Sequence, residues 1–68
     1  SYTKKLLNDK NLSVSKVKEE VNELIEAVEK NTNKVHESAD VVYHLLVYLE
    51  ANNIKIEDVV KELVKRKK

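Results

Sequence analysis

The stretch Val17-Lys18-Glu19-Glu20-Val21-Asn22-Glu23-Leu24-Ile25-Glu26-Ala27-Val28 decides the fold class. Its apolar members Val17, Val21, Leu24, Ile25 and Val28 recur at helical spacing. At about 100° per residue they fall within roughly 80° of Val17, so one stripe of an amphipathic helix is expected. Working outward, Ser13 is the candidate N-cap and Asn31 the end of this helix, predicted over Val14–Asn31. A short helix over Tyr2–Asp9, carrying Leu6 and Leu7, precedes it and is broken by the polar stretch Asn8–Asn11. After it, Asn31-Thr32-Asn33 is a connector, with Thr32 or Asn33 available to cap a third helix over Lys34–Ala51. Asn52-Asn53 stops that helix, and a fourth is predicted over Ile56–Lys65, with Val59, Val60, Leu63 and Val64 on its inner side. Lys55 stands where a capping Ser or Asp is preferred, and Glu57 and Asp58 in the first turn offset this through the helix dipole. The connector is short, so the central helices pack antiparallel.

Composition agrees. The 68 residues contain no Gly and no Pro, which disfavours tight β-hairpins and excludes Gly-rich phosphate loops. The expected fold is all-α: a short four-helix subunit with an antiparallel central pair, one domain over residues 1–68. The third helix has more apolar surface than one short bundle can cover, so dimer contacts are expected to bury it and complete a helical bundle. With no Cys there is neither a disulfide nor a thiolate metal site. Thirteen basic against twelve acidic residues leave a net charge of +1, which gives little drive toward nucleic acid or membrane. No apolar run long enough for a membrane span and no signal peptide is visible, so a cytoplasmic location is expected. The tail Lys65-Arg66-Lys67-Lys68 complements the last helix dipole, with attraction of phosphate as the other reading. Because the sequence starts at Ser1 rather than Met, a fragment, a processed product or part of a longer polypeptide is expected.

Two acidic clusters stand out: Glu19, Glu20 and Glu23, then Glu37 and Asp40. Glu20 falls near roughly 300° on the wheel that puts Val17 at zero, inside the apolar stripe, whereas Glu26 and Glu29 point to solvent. On the third helix Val35, Ala39, Val42, Leu46 and Leu49 form one face, and Glu37, Asp40 and His44 gather on the other. The run Val41–Leu49 is nearly all apolar, so these acids are expected to face a pocket or another protein surface rather than open water. On an exposed helix, like charges at i, i+4 cost only about 0.2–0.5 kcal/mol per pair. Two carboxylates about 5 Å apart in a partly buried pocket repel by about 3 kcal/mol at an effective dielectric near 20. Only Lys16 lies close by in sequence, so a shared pocket requires protonation or a divalent cation. Oxygen-only ligands favour Mg²⁺, or Mn²⁺, over Zn²⁺. The alternative is a solvated acidic face paired with lysines, and the residues alone leave both open.

His36-Glu37-Ser38-Ala39-Asp40 approaches the zinc-protease pattern, but Asp40 stands where the second His is required. His44 follows Asp40 by one turn and can contact an acid or a phosphate, or serve as a satisfied core histidine. Tyr43 and Tyr48 are packing residues in this reading. Lys16 either pairs with Glu19 and Glu20 or reaches a phosphate.

Glu19-Glu20-x-x-Glu23, then Glu37-x-x-Asp40, resembles the motif of the MazG-like all-α nucleoside triphosphate pyrophosphohydrolases. Ser1-Tyr2-Thr3, Lys16-Val17-x-Glu19-Glu20 and Glu37-x-Ala39-Asp40-x-x-Tyr43-His44-Leu45-Leu46-Val47 resemble one branch, the phosphoribosyl-ATP pyrophosphohydrolases of histidine biosynthesis. The resemblance covers essentially the whole chain. Lys18 departs from it, replacing a Gly usual in the family, as does the Gly-free loop Asn8-Asp9-Lys10-Asn11. Family members also begin some residues before Ser-Tyr-Thr, so an N-terminal segment is expected to be missing.

The resemblance implies a homodimer and Mg²⁺-dependent hydrolysis of 1-(5-phosphoribosyl)-ATP to 1-(5-phosphoribosyl)-AMP and pyrophosphate. By this analogy Glu20, Glu23, Glu37 and Asp40 are metal ligands, and Glu19 orients the attacking water. Lys16, Lys18 and His44 are candidate phosphate contacts. Fusion to, or association with, a phosphoribosyl-AMP cyclohydrolase is a further implication. Two alternatives stay open: a pyrophosphohydrolase of canonical or damaged nucleoside triphosphates, and a non-catalytic helical dimerisation module.

Overall fold

A computed structural model describes residues 1–67, so the final Lys68 of the basic tail lies outside the described residues. Four α-helices follow one another: α1 (Tyr2–Asn8), α2 (Lys10–Lys30), α3 (Lys34–Ala51) and α4 (Ile56–Lys65). The fold is all-α, as composition predicts, and α3 and α4 have the predicted bounds. The start of α2 differs. Asp9, not Ser13, is its N-cap, and its carboxylate accepts from the Leu12 amide at 3.0 Å. Asp9 also ends α1, so the expected polar break shrinks to one residue and Ser13 becomes a buried helical residue.

A chain without Gly must place other residues in left-handed conformations, and Asn does so at little cost. Asn31, Asn33 and Asn53 have φ of 54°, 48° and 59°. At Asn31 and Asn53 the next residue donates back to the helix, Thr32 to the Ala27 carbonyl at 3.0 Å and Ile54 to the Leu49 carbonyl at 2.9 Å. These bonds satisfy carbonyls that would otherwise be orphaned at the helix ends. Asn33 occupies the N-cap of α3 without a side-chain bond, and Lys55 likewise leaves α4 uncapped by its side chain.

The main packing is α2 against α3, with α1 lying across both. Ser13, Glu20 and Ala27 form the buried line of α2, and His44 and Val47 that of α3. The buried line of α2 therefore runs along one edge of the predicted stripe, where Val17 and Leu24 are half-buried, and that of α3 lies away from its predicted face. Val21, Ile25 and Val28 of the α2 stripe are exposed, as are Val35, Ala39, Val42 and Leu46 of α3, while Leu49 is half-buried. On α4, Val60, Leu63 and Val64 are exposed too, because this helix shares no substantial packing with the other three. The physical reason is geometric. The chain forms a slab of 38 × 34 × 16 Å, too thin to cover both faces of its central helices. Its radius of gyration is 13.6 Å, against about 11 Å for a compact domain of this length. Among the described residues the buried apolar side chains are Leu6, Ala27 and Val47.

Candidate metal centre

Helix geometry places Glu19, Glu20 and Glu23 on adjacent turns of α2, each offering an oxygen within 4.8 Å of the others. His36, Glu37 and Asp40 make a second such group on α3. The antiparallel pairing brings the two groups together. Glu23 is the bridge, because its carboxyl acts on Glu20 on its own helix and on Glu37 across the interface. Asp40 in turn acts on Glu20 from the far side. The acidic residues thus converge, Glu29 stays outside in solvent, and Glu26, exposed and paired with Lys30 at 2.6 Å, only borders a cleft beside them.

Glu20 is the most unusual of them, at 7% exposure. Burial, then the neighbouring Glu23 and Asp40 carboxyls, raise its pKa from 4.5 to about 7, with Lys16 pulling the other way. Glu37 is also raised, first by burial and then by Glu23 and Asp40. One oxygen of each, Glu20 Oε2 and Glu37 Oε2, is buried without a hydrogen-bond partner. Orphaned carboxylate oxygens of this kind are costly unless something fills the gap. All-oxygen donors with two unpartnered buried oxygens suit a hard divalent cation, so the residues fit Mg²⁺ or Mn²⁺.

Lys16 lies at the open edge and forms an ion pair with Glu19, which raises the Lys16 pKa. Its Nζ is also 4.0 Å from Glu20 Oε1. Lys18 is exposed. His44 is buried, with Nε2 4.0 Å from Glu20 Oε1, and burial lowers its pKa. His36 Nε2 lies 3.4 Å from Asp40 Oδ2 on the exposed side. A cleft of about 320 Å³ opens beside the acids at the connector end of the hairpin, with Glu23, Glu37, Lys30, Thr32 and Asn33 in its walls.

The raised acid pKa values have a consequence for stability. An unfolded Glu20 loses its proton near pH 4.5, whereas the folded one keeps it to about 7. Between these values the unfolded chain binds fewer protons, so the contribution of this site to stability falls as pH rises, then levels off. Urea unfolding of metal-free protein at pH 5 and pH 8 should show this loss at pH 8, and Mg²⁺ should reduce it. Equal effects of Mg²⁺ at both pH values would contradict this.

The model of the family described as "Phosphoribosyl-ATP pyrophosphohydrolase" matches residues 1–67. The chain belongs to the phosphoribosyl-ATP pyrophosphohydrolase family. Among the relatives of this family, the phosphoribosyl-ATP pyrophosphatase of Methanosarcina acetivorans is 44% identical, over 97% of this chain and 68% of its own length. That of Haloarcula marismortui is 42% identical, over 98% of this chain and 74% of its own. The histidine biosynthesis trifunctional protein of Kluyveromyces lactis is 46% identical over 93% of this chain, which spans 8% of that protein's length. The domain therefore also occurs inside multifunctional histidine-biosynthesis proteins, of which the chain covers a small part. No solved structure matches.

The motif residues Glu19, Glu20, Glu23, Glu37 and Asp40 are thus gathered by the fold, with Glu19 at the exposed rim, whereas Lys18 is exposed and points away from them. Sequence reasoning passed over the contribution of α1. The Tyr2 ring lies 5.8 Å from the His44 ring, and the Thr3 hydroxyl is hydrogen-bonded to the Tyr43 hydroxyl. The resemblance of Ser-Tyr-Thr to the family was the available signal, and no local pattern linked it to the acids.

Proposed function

We propose that the chain hydrolyses the α–β phosphoanhydride of 1-(5-phosphoribosyl)-ATP, giving 1-(5-phosphoribosyl)-AMP and pyrophosphate, as the Mg²⁺-dependent second step of cytoplasmic histidine biosynthesis. The observation that carries this reading is the convergence of Glu20, Glu23, Glu37 and Asp40 from facing helices, with two buried oxygens left unpartnered. Family membership supports the substrate.

These four carboxylates would hold the metal. When bound, Mg²⁺ withdraws charge from the anhydride and stabilises the departing pyrophosphate. Glu19, exposed at the rim, accepts a hydrogen bond from the attacking water and orients it in line with the leaving group. Lys16 lies beside the acids, where it meets phosphate oxygens. It reaches them by exchanging its pairing with Glu19 for one with the substrate. Lys18, two residues further on, points to the other side of α2 and is exposed. His44 backs the site from inside, beside Glu20. The cleft at the connector gives the nucleotide room next to Glu23 and Glu37.

The decisive experiment is pyrophosphate release from phosphoribosyl-ATP with Mg²⁺ and with a chelator. Release is expected with Mg²⁺ alone. No release, or faster release from ordinary deoxynucleoside triphosphates, would reject this substrate assignment.

The working form is a homodimer. Val21, Ile25 and Val28 of α2, with Val42, Leu45 and Leu46 of α3, are large apolar side chains that a single chain leaves exposed. Covering them with a second copy completes a helical bundle without moving the acids. Sedimentation should find a dimer, and a Val42→Glu/Leu46→Glu chain should be monomeric or unfolded. A stable folded monomer of the parent at micromolar concentration would refute the dimer. In relatives the domain is fused to other histidine-biosynthesis enzymes, and association with a phosphoribosyl-AMP cyclohydrolase follows the same logic.

A further inference from the structure

The imidazole of His44 is held on two sides by aromatic rings that the reaction does not otherwise use. Tyr2 from α1 stands edge-on to it at 5.8 Å and 85°. Tyr43, its own neighbour on α3, stands at 4.9 Å and 77°. The second contact is not a consequence of the helix. Consecutive helical residues point about 100° apart and do not normally face each other. Tyr43 is tethered instead by its hydroxyl, which shares a hydrogen bond with Thr3, forty residues away on α1. The second side-chain torsion of a histidine is broad, so its ring plane is set by what surrounds it. Here two roughly perpendicular rings set that plane. They leave Nε2 facing Glu20 Oε1 at 4.0 Å, across an interior where both residues are 7% exposed.

We infer that Tyr2, Thr3 and Tyr43 are positioning residues of the metal centre. The Thr3–Tyr43 hydroxyl pair fixes the Tyr43 ring, and the two tyrosine rings fix His44. His44, packed 4.0 Å from Glu20 Oε1 without a hydrogen bond to it, limits where that carboxylate can swing. α1 is then a working part of the site rather than a helix that merely precedes it. Outer partners of metal-binding side chains act this way in general, by limiting where the ligand oxygen can sit. The inference rests on the metal-site reading proposed above.

The test uses the full chain and two readouts besides turnover: Mn²⁺ affinity, from paramagnetic resonance of the free ion, and the imidazole ¹⁵N–¹H signals of His44 without metal. Thr3→Val and Tyr43→Phe should each weaken Mn²⁺ binding by about 10-fold, the lower end for outer partners of a metal site. Their double variant should be no weaker than either, because both remove one hydrogen bond. Tyr2→Phe keeps the ring and should match the parent, whereas Tyr2→Leu should weaken binding and move the His44 signals. Helix content by circular dichroism should be unchanged in all.

Unmoved His44 signals and unchanged Mn²⁺ affinity in Tyr2→Leu and Thr3→Val would overturn the inference. So would equal losses in Tyr2→Phe and Tyr2→Leu. If the parent chain takes up no Mn²⁺, the metal-site reading itself fails, and with it the role assigned to the clamp. If the parent binds and the variants bind equally well, only the clamp fails.

Discussion

Glu23→Ala and Asp40→Ala should each lower Mg²⁺-dependent pyrophosphate release by at least about 100-fold, the scale of losing one transition-state-stabilising group. Helix content should barely change. Glu23 is exposed and belongs to the surface end of the cluster, so its removal leaves no cavity. Its carboxyl nevertheless touches both halves of the site, since it raises Glu20 on α2 and Glu37 on α3. Asp40 is half-buried and closes the cluster from α3, 3.4 Å from His36. Truncating either opens the oxygen cage on one side. Removing negative charge also relieves repulsion on Glu20, so Glu23→Ala should be at least as stable as the parent at pH 8. Activity assayed beside circular dichroism separates these effects. Retained turnover in either variant would remove the ligand assignment.

Glu20→Gln should separate stability from function more sharply. Above about pH 7 the parent carries an ionised, buried carboxylate with one oxygen unpartnered. A neutral amide of the same shape escapes the cost of holding that charge in the interior. The gain is about 1–2 kcal/mol once the unsatisfied amide is set against it. For so short a chain that is about 5–10 °C in melting temperature at pH 8 without metal. The same variant should lose most of its affinity for Mn²⁺. Saturating Mg²⁺ should raise the melting temperature of the parent and leave the variant unmoved, because only a state that binds the ion is stabilised by it. At pH 5, where parent Glu20 is protonated, the difference between the two should nearly vanish. A Glu20→Gln chain less stable than the parent at pH 8 without metal would show that the buried charge is well compensated. Scans at the two pH values, with and without metal, decide the matter.

Local chemistry by itself determined the helices. Helical periodicity, the Asn-rich connectors and the absence of Gly and Pro leave few other ways to satisfy the backbone, and α3 and α4 follow the predicted bounds residue for residue. The acids were legible too, since Glu20 stands out as a charge within an apolar stripe before any packing is known. The cap of α2 was misassigned because Ser13 and Asp9 are both good capping residues. The carboxylate of Asp9 takes the Leu12 amide, leaving Ser13 inside the helix.

What only the tertiary structure decided is which face turns inward. Periodicity shows that a helix has an apolar side, but not what that side will meet. Ser13, Glu20 and Ala27 recur every seven residues and form the buried line of α2, the helix that packs most extensively on α3. That packing turns Glu37, Asp40 and His44 inward and leaves Val21, Ile25, Val42 and Leu46 outside. The convergence of the carboxylates, and the reach of Tyr2 and Thr3 to His44 and Tyr43, depend on distances between residues far apart in the chain. Such distances are set by how the helices pack, which no local pattern encodes.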